Sequence, residues 1–120
     1  MSLVMLVDDD EDMLRLTERW IIKAGHDTLC ATSGSEALEI LKAAKPDVIV
    51  LDYAMPGMDG PELYRTIKAD ERIKDIPVIF RTGKEDEESG AVLEELSPAG
   101  VVPKSDGKPG LLGILNDVIK

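Results

Sequence analysis

The sequence predicts an α/β domain built on a doubly wound, five-stranded parallel sheet with five helices. Three observations predict it. Five short apolar runs, near residues 3–7, 28–31, 47–51, 76–80 and 101–102, alternate with five stretches of helical apolar spacing. The connections are short, and several carry a helix-capping residue or a stopping glycine. Strict alternation through short links demands parallel strands, right-handed crossovers and helices on both faces. At 120 residues, one domain over 1–120 is expected, with a core that needs no staples.

Each element follows from local chemistry. Leu3 to Val7 is an unbroken apolar run, the mark of a strand buried on both faces. Beyond the acidic run Asp8 to Asp12, the residues Met13, Leu16, Trp20, Ile21 and Ala24 recur at helical spacing. Asp10 is the expected N-cap, and Gly25 the expected stop. Thr28 to Ala31 reads as a second strand. Ser33 and Glu36 form a capping-box pair, opening a helix with Ala37, Leu38, Ile40, Leu41 and Ala44 inward.

Pro46 enforces an extended entry into the central strand, Asp47 to Leu51. Pro61 suits the first turn of a third helix to about Asp70, with Leu63, Ile67 and Tyr64 inside. Ile76 to Phe80 is the fourth strand, with Pro77 near its start. Gly83 to Leu96 carries a thin stripe, Ala91, Val92, Leu93 and Leu96, weakened by Gly90. Val101-Val102 is a brief fifth strand. Leu111, Leu112, Leu115 and Ile119 then line a last helix from about Pro109.

Composition narrows the function. Net charge is −10, which disfavours direct nucleic-acid binding, since that needs a basic face to displace phosphate counterions. No apolar run is long enough to span a bilayer, and no charged-then-apolar leader is seen. The one cysteine, Cys30, lies in a strand-like run and reads as a packing residue, with a cytoplasmic compartment expected. His26 reads as a loop residue, and Trp20 as part of the core.

In a doubly wound sheet, function gathers outside the carboxyl ends of the strands. There the first strand delivers Asp8 and Asp9, the third Asp52, the fourth Thr82 and the fifth Lys104. With the first and third strands adjacent, the three aspartates crowd. Two carboxylates about 5 Å apart repel by roughly 3 kcal/mol at an effective dielectric near 20. Such a cluster raises its pKa values or takes a cation, and an all-oxygen set suits Mg²⁺, with Mn²⁺ as the alternative. Carboxylate, cation, hydroxyl and ammonium together are what phosphoryl transfer onto Asp52 requires. The small Gly83 leaves room for the group and offers a backbone N–H.

The chain resembles the receiver domains of two-component response regulators, the family typified by CheY. The resemblance runs through Leu6-Val7-Asp8-Asp9-Asp10, Ser33-Gly34-Ser35-Glu36-Ala37-Leu38, the stretch Asp47 to Gly60, Ile76 to Ile79 before Thr82-Gly83, and Ala99-Gly100 before Lys104. It implies a flavodoxin-like strand order 2-1-3-4-5. It also implies that Asp52 accepts phosphate from a sensor histidine kinase or phosphotransfer protein. Asp8 and Asp9 would position Mg²⁺, with the Ala54 carbonyl as a further ligand, while Thr82 and Lys104 meet the phosphoryl group. The module would then signal to an output domain or partner, promoting only its own phosphotransfer and hydrolysis. Whether it stands alone or belongs to a longer protein is left open.

Three features stand apart from the common family pattern. Pro103-Lys104-Ser105 puts the proline before the lysine rather than after it. Val101 occupies the position that often carries a switching aromatic. Lys84 and Ala54, each two residues beyond a site residue, flank the pocket and influence how readily water reaches an acyl phosphate. Other readings fit less well. Asp8, Asp10 and Asp12 superficially begin an EF-hand loop, but Met13 replaces its glycine and Arg19 its final glutamate. An aspartate-nucleophile phosphatase would need a residue other than Asp12 after Asp8 and Asp10. A phosphorylation-independent binding domain of the same fold is the competing class.

Overall fold

A computed structural model of the protein describes residues 2–83 and 87–119. The strands are β1 (Leu3–Val7), β2 (Asp27–Ala31), β3 (Val48–Asp52), β4 (Val78–Thr82) and β5 (Gly100–Pro103). The helices between and after them are α1 (Glu11–Lys23), α2 (Gly34–Leu41), α3 (Gly60–Lys68), α4 (Glu87–Leu96) and α5 (Gly107–Ile119). All neighbouring strands pair in parallel, in the order β2-β1-β3-β4-β5. This is the doubly wound, flavodoxin-like fold predicted from the sequence. The first and third strands are neighbours, as crowding of the aspartates requires.

Strand alternation divides the core between the two faces of the sheet. On one face Val4, Leu6, Val50 and Ile79 pack with Leu14 and Ile21 of α1 and Leu111 and Leu115 of α5. On the other, Met5, Val7, Ile49, Leu51 and Phe80 pack with residues of α2, α3 and α4, among them Leu41, Leu63, Ile67 and Leu93. Helix starts are capped as their sequences suggest. The Asp10 carboxylate accepts from Asp12 and Met13 N–H, Ser33 Oγ from Glu36 N–H, and Asp59 from Glu62 N–H. Glu36 Oε1 in turn accepts from the N–H of Thr32, one residue ahead of the cap, at 2.7 Å.

Some boundaries and faces differ from expectation, each for a visible reason. The fourth strand lies at Val78–Thr82 rather than Ile76 to Phe80. Ile76 N–H is spent on the Ile73 carbonyl, and Pro77 has no N–H to give, so ladder pairing starts after them. At its far end the strand continues through Arg81, which is buried despite its charge. In α1 the fully buried positions are Leu14, Thr17 and Ile21, whereas Leu16 is 39% exposed and Ala24 exposed. The last helix begins at Gly107, because Lys104–Asp106 forms a single 3₁₀ turn and Gly107 reverses it at φ 60°. Of the stretch Gly83 to Leu96 expected for the fourth helix, residues 84–86 lie outside the described residues, and α4 takes up Glu87–Leu96. His26 is half-buried, its Nδ1 accepting from Ser2 N–H at 3.2 Å.

Candidate functional site

Two features of the first loop build one side of the site. Asp8 N–H continues the sheet by donating to the Ala31 carbonyl, which draws Asp8 down to 5% exposure. Its Oδ1 then accepts from Asp10 N–H at 3.0 Å, tightening the turn into α1. The acidic run therefore divides its labour. Asp10 caps the helix, while Asp8 and Asp9 face the rim, one buried and one exposed.

Asp52 is the last residue of β3, opposite Arg81 of β4, and is 5% exposed. The chain beyond it is pinned at both sides: Tyr53 N–H donates to the Arg81 carbonyl, and Gly60 N–H to the Tyr53 carbonyl, each at 2.9 Å. A Cβ on Gly60 would stand 2.6 Å from the Asp52 carbonyl oxygen and 2.9 Å from Tyr53 Cα. Only glycine lets α3 start so close to the strand end. Ala54 is exposed in the loop so formed.

The charges converge. Asp8, Asp9 and Asp52 each present a carboxylate oxygen, all within 4.8 Å of one another. Lys104, just past β5, reaches across with Nζ 3.2 Å from Asp52 Oδ1 and 3.7 Å from Asp8 Oδ2. Burial, then the neighbouring Asp8 charge, pushes the Asp52 carboxyl up to about 6 against the pull of Lys104. Among the predicted site residues, the structure thus gathers Asp8, Asp9, Asp52 and Lys104. Thr82 closes β4, buried and in register with Pro103, and Gly83 beyond it is exposed with open space where a Cβ would project. Val101 lies on β5, 38% exposed. Lys84 lies outside the described residues. The displaced proline leaves Lys104 at the head of the 3₁₀ turn, with its ammonium on the carboxylates.

Arg81 escaped the sequence reading. It is 4% exposed, and its Nη1 donates to Thr17 Oγ1 at 3.0 Å. Burial lowers its pKa, and the charges of Asp8 and Asp52 oppose that. The missed signal was available in the strand's period: position 81 shares a face with Ile79, so it had to point inward. Cys30 matches its packing role. Its thiol sits 3.2 Å from Glu18 Oε2, and burial pushes it up to about 12, leaving it protonated at neutral pH.

Residues 4–116 match the response regulator receiver domain family. The chain belongs to that family. Among relatives, the transcriptional regulatory protein AfsQ1 of Streptomyces coelicolor is 35% identical over 87 residues, covering 72% of this chain and 37% of that protein. This receiver domain therefore spans well under half the length of that relative. Among solved structures, the chemotaxis protein CheY4 of Vibrio cholerae superposes with a TM-score of 0.90 at 27% identity, over 98% of both chains. The signal receiver domain of a signal transduction histidine kinase from Syntrophus aciditrophicus has the same fold. Its TM-score is 0.92 at 24% identity, over 99% of this chain and 90% of that one. The protein is a response regulator receiver domain of the two-component systems, and no helix among the described residues is long and apolar enough to cross a membrane.

Proposed function

We propose that this receiver domain is a phosphoacceptor that takes a phosphoryl group onto Asp52 from the phosphohistidine of a sensor histidine kinase or phosphotransfer protein. One observation carries the reading: a buried carboxylate is held between a lysine ammonium and two further carboxylates at the carboxyl edge of the sheet. An acceptor carboxylate needs cationic help on both sides, because nucleophile and phosphoryl group are both anionic. Lys104 supplies one side. The oxygen-only set Asp8, Asp9 and Asp52 fits Mg²⁺, with Mn²⁺ as its closest substitute and the backbone carbonyl of Ala54 as a further donor. When bound, the cation supplies charge neutralisation for the phosphoryl oxygens.

The chain's own residues do the rest. An Asp52 carboxylate oxygen bonds to phosphorus as the P–N bond to the donor imidazole breaks, and the imidazole keeps the electron pair and takes up a proton. The product is an acyl phosphate on Asp52. Lys104 moves from balancing Asp52 to balancing the phosphoryl group, which is the step its 3.2 Å contact prepares. Thr82 hydroxyl and Gly83 N–H serve as donors to that group from the end of β4. Ala54, exposed beyond the end of β3, and Lys84, two residues after Thr82 in the sequence, set how long the acyl phosphate survives.

Output is read on the face around α4 and β5. With Val101 in place of a rotating aromatic, the change there is a backbone or loop shift. The recipient is an output domain or separate target protein, and the compartment is cytoplasmic. This segment contacts neither nucleic acid nor membrane, consistent with its charge of −10. It is a signalling module rather than a turnover enzyme, and it forms one domain over 1–120.

Incubation with acetyl phosphate and Mg²⁺ tests the reading by intact mass. The expected result is a gain of one phosphoryl group, absent in Asp52→Asn, and a conformational response to beryllofluoride with Mg²⁺. A chain that gains no mass and does not respond is a phosphorylation-independent binding domain instead.

A further inference from the structure

Arg81 is a cation where the fold has every reason to place hydrocarbon. Both faces of β4 are buried along its whole length, and Arg81 occupies the face on which Ile79 joins the core with Leu6, Leu14 and Val50. Burying a charge there is unfavourable unless something answers it. Thr17 answers part: it is 3% exposed, donates its hydroxyl proton to the Met13 carbonyl at 2.8 Å, and accepts from Arg81 with a lone pair. Among the described residues that is one hydrogen bond for a group with five N–H donors, and the buried Nε has no partner there. A small cavity is lined jointly by Arg81, Thr17, Leu6 and Val50 and by two residues of the site, Asp8 and Asp52. Arg81 thus shares a cavity with both buried carboxylates, is the register partner of Asp52, and lies within reach of the charges of both.

We propose that Arg81 is a built-in counter-cation of the acidic pocket, holding part of its negative charge from inside the fold and thereby weakening its affinity for a divalent metal. Among the described residues, three carboxylates balanced by Lys104 alone leave the pocket at −2, and Arg81 brings it to −1. A dication feels that difference twice over, through a low-dielectric wall that screens poorly. Lys104 stands on the open side, where it can follow an incoming group. Arg81 is enclosed and tethered to α1 through Thr17, so its charge stays in place whether or not a metal is present. The pocket is thereby kept assembled without metal and gives up some grip on it.

The inference rests on reading this pocket as the metal and phosphoryl site, and calorimetric titration with Mn²⁺ and with Mg²⁺ separates the two. Arg81→Met, which fills similar volume without charge, is expected to tighten the metal dissociation constant by about tenfold or more. Arg81→Gln keeps a donor for Thr17 and serves equally should the methionine variant not fold. Arg81→Lys keeps the charge and is expected to stay within about threefold of wild type. Circular dichroism establishes that each variant is folded. A folded Met or Gln variant with wild-type affinity overturns the role of Arg81, as does a lysine variant that tightens as much as the uncharged ones. A wild-type chain that binds neither ion and does not respond to beryllofluoride overturns the reading of the pocket itself.

Discussion

The two faces of the sheet reach the functional rim differently. On the α2–α3–α4 side, hydrocarbon and rings continue almost to the edge. Phe80 is fully buried, with Tyr64 centred 5.5 Å and Tyr53 6.0 Å from its ring. On the α1–α5 side buried Arg81 and Thr17 line one cavity with Asp8 and Asp52, Arg81 level with Asp52 in the sheet. One side is held by packing and the other by charge balance. The difference teaches where the acidic rim is compensated: from the side of α1, and not evenly from both faces.

The packed side should show the largest response to a single change. Phe80→Ala removes the ring on which both tyrosines rest and is expected to lower unfolding free energy by about 3–5 kcal/mol in urea titration. That loss should be independent of pH between about 5 and 8, since no charge is involved. A loss that grew with pH would mean that this face too is coupled to the carboxylates.

The charged side should behave in the opposite manner. Asp52 titrates near 6 in the folded chain, above its ordinary value of 3.8, so the folded state binds the proton more tightly than the unfolded one. The ionised carboxylate therefore opposes folding fully above about pH 6, progressively less down to about pH 4, and not at all below that. Without metal, Asp52→Asn is expected to stabilise the chain at pH 7.5 by an amount on the order of 3 kcal/mol, vanishing toward pH 4. Denaturant midpoints across that range in a chelating buffer measure it. Absence of any gain at pH 7.5 would show that Lys104 and Arg81 already neutralise the cluster.

The same contrast explains what could be read from the chain. Apolar period and capping chemistry are local, so the alternation of strands and helices, and the caps at Asp10, Ser33 and the Pro61 turn, were legible. So were the chemistry-bearing strand ends, because a carboxylate or lysine directly after an apolar run stands out. What was not legible depends on partners distant in sequence. The apolar run 76–80 stops at Phe80 because an arginine reads as surface, and apolar spacing along α1 takes in Leu16 while passing over the threonine at 17. Arg81 and Thr17 are each improbable in a core alone, and only their pairing across 64 residues makes both acceptable. Gly60 is similar: its need for a bare Cα arises from the carbonyl of Asp52 and the backbone of Tyr53, which meet it only in the fold.

Thr17 offers the finest test of that pairing. Its hydroxyl makes two bonds, donating to the Met13 carbonyl four residues back and accepting from Arg81. Among the described residues Thr66 makes the first kind alone, donating to the Glu62 carbonyl at 3.0 Å from an exposed position on α3. Replacing each with valine keeps the branched shape and removes the hydroxyl. For Thr66 the expected loss is under about 0.5 kcal/mol, as for most exposed substitutions. For Thr17 the guanidinium loses its hydrogen-bond acceptor inside the core, and the expected loss is about 1–2 kcal/mol. The difference between the two variants, read from urea midpoints, isolates the contribution of the Arg81 bond. Equal losses would mean that the buried cation is held by the carboxylates that share its cavity and not by α1.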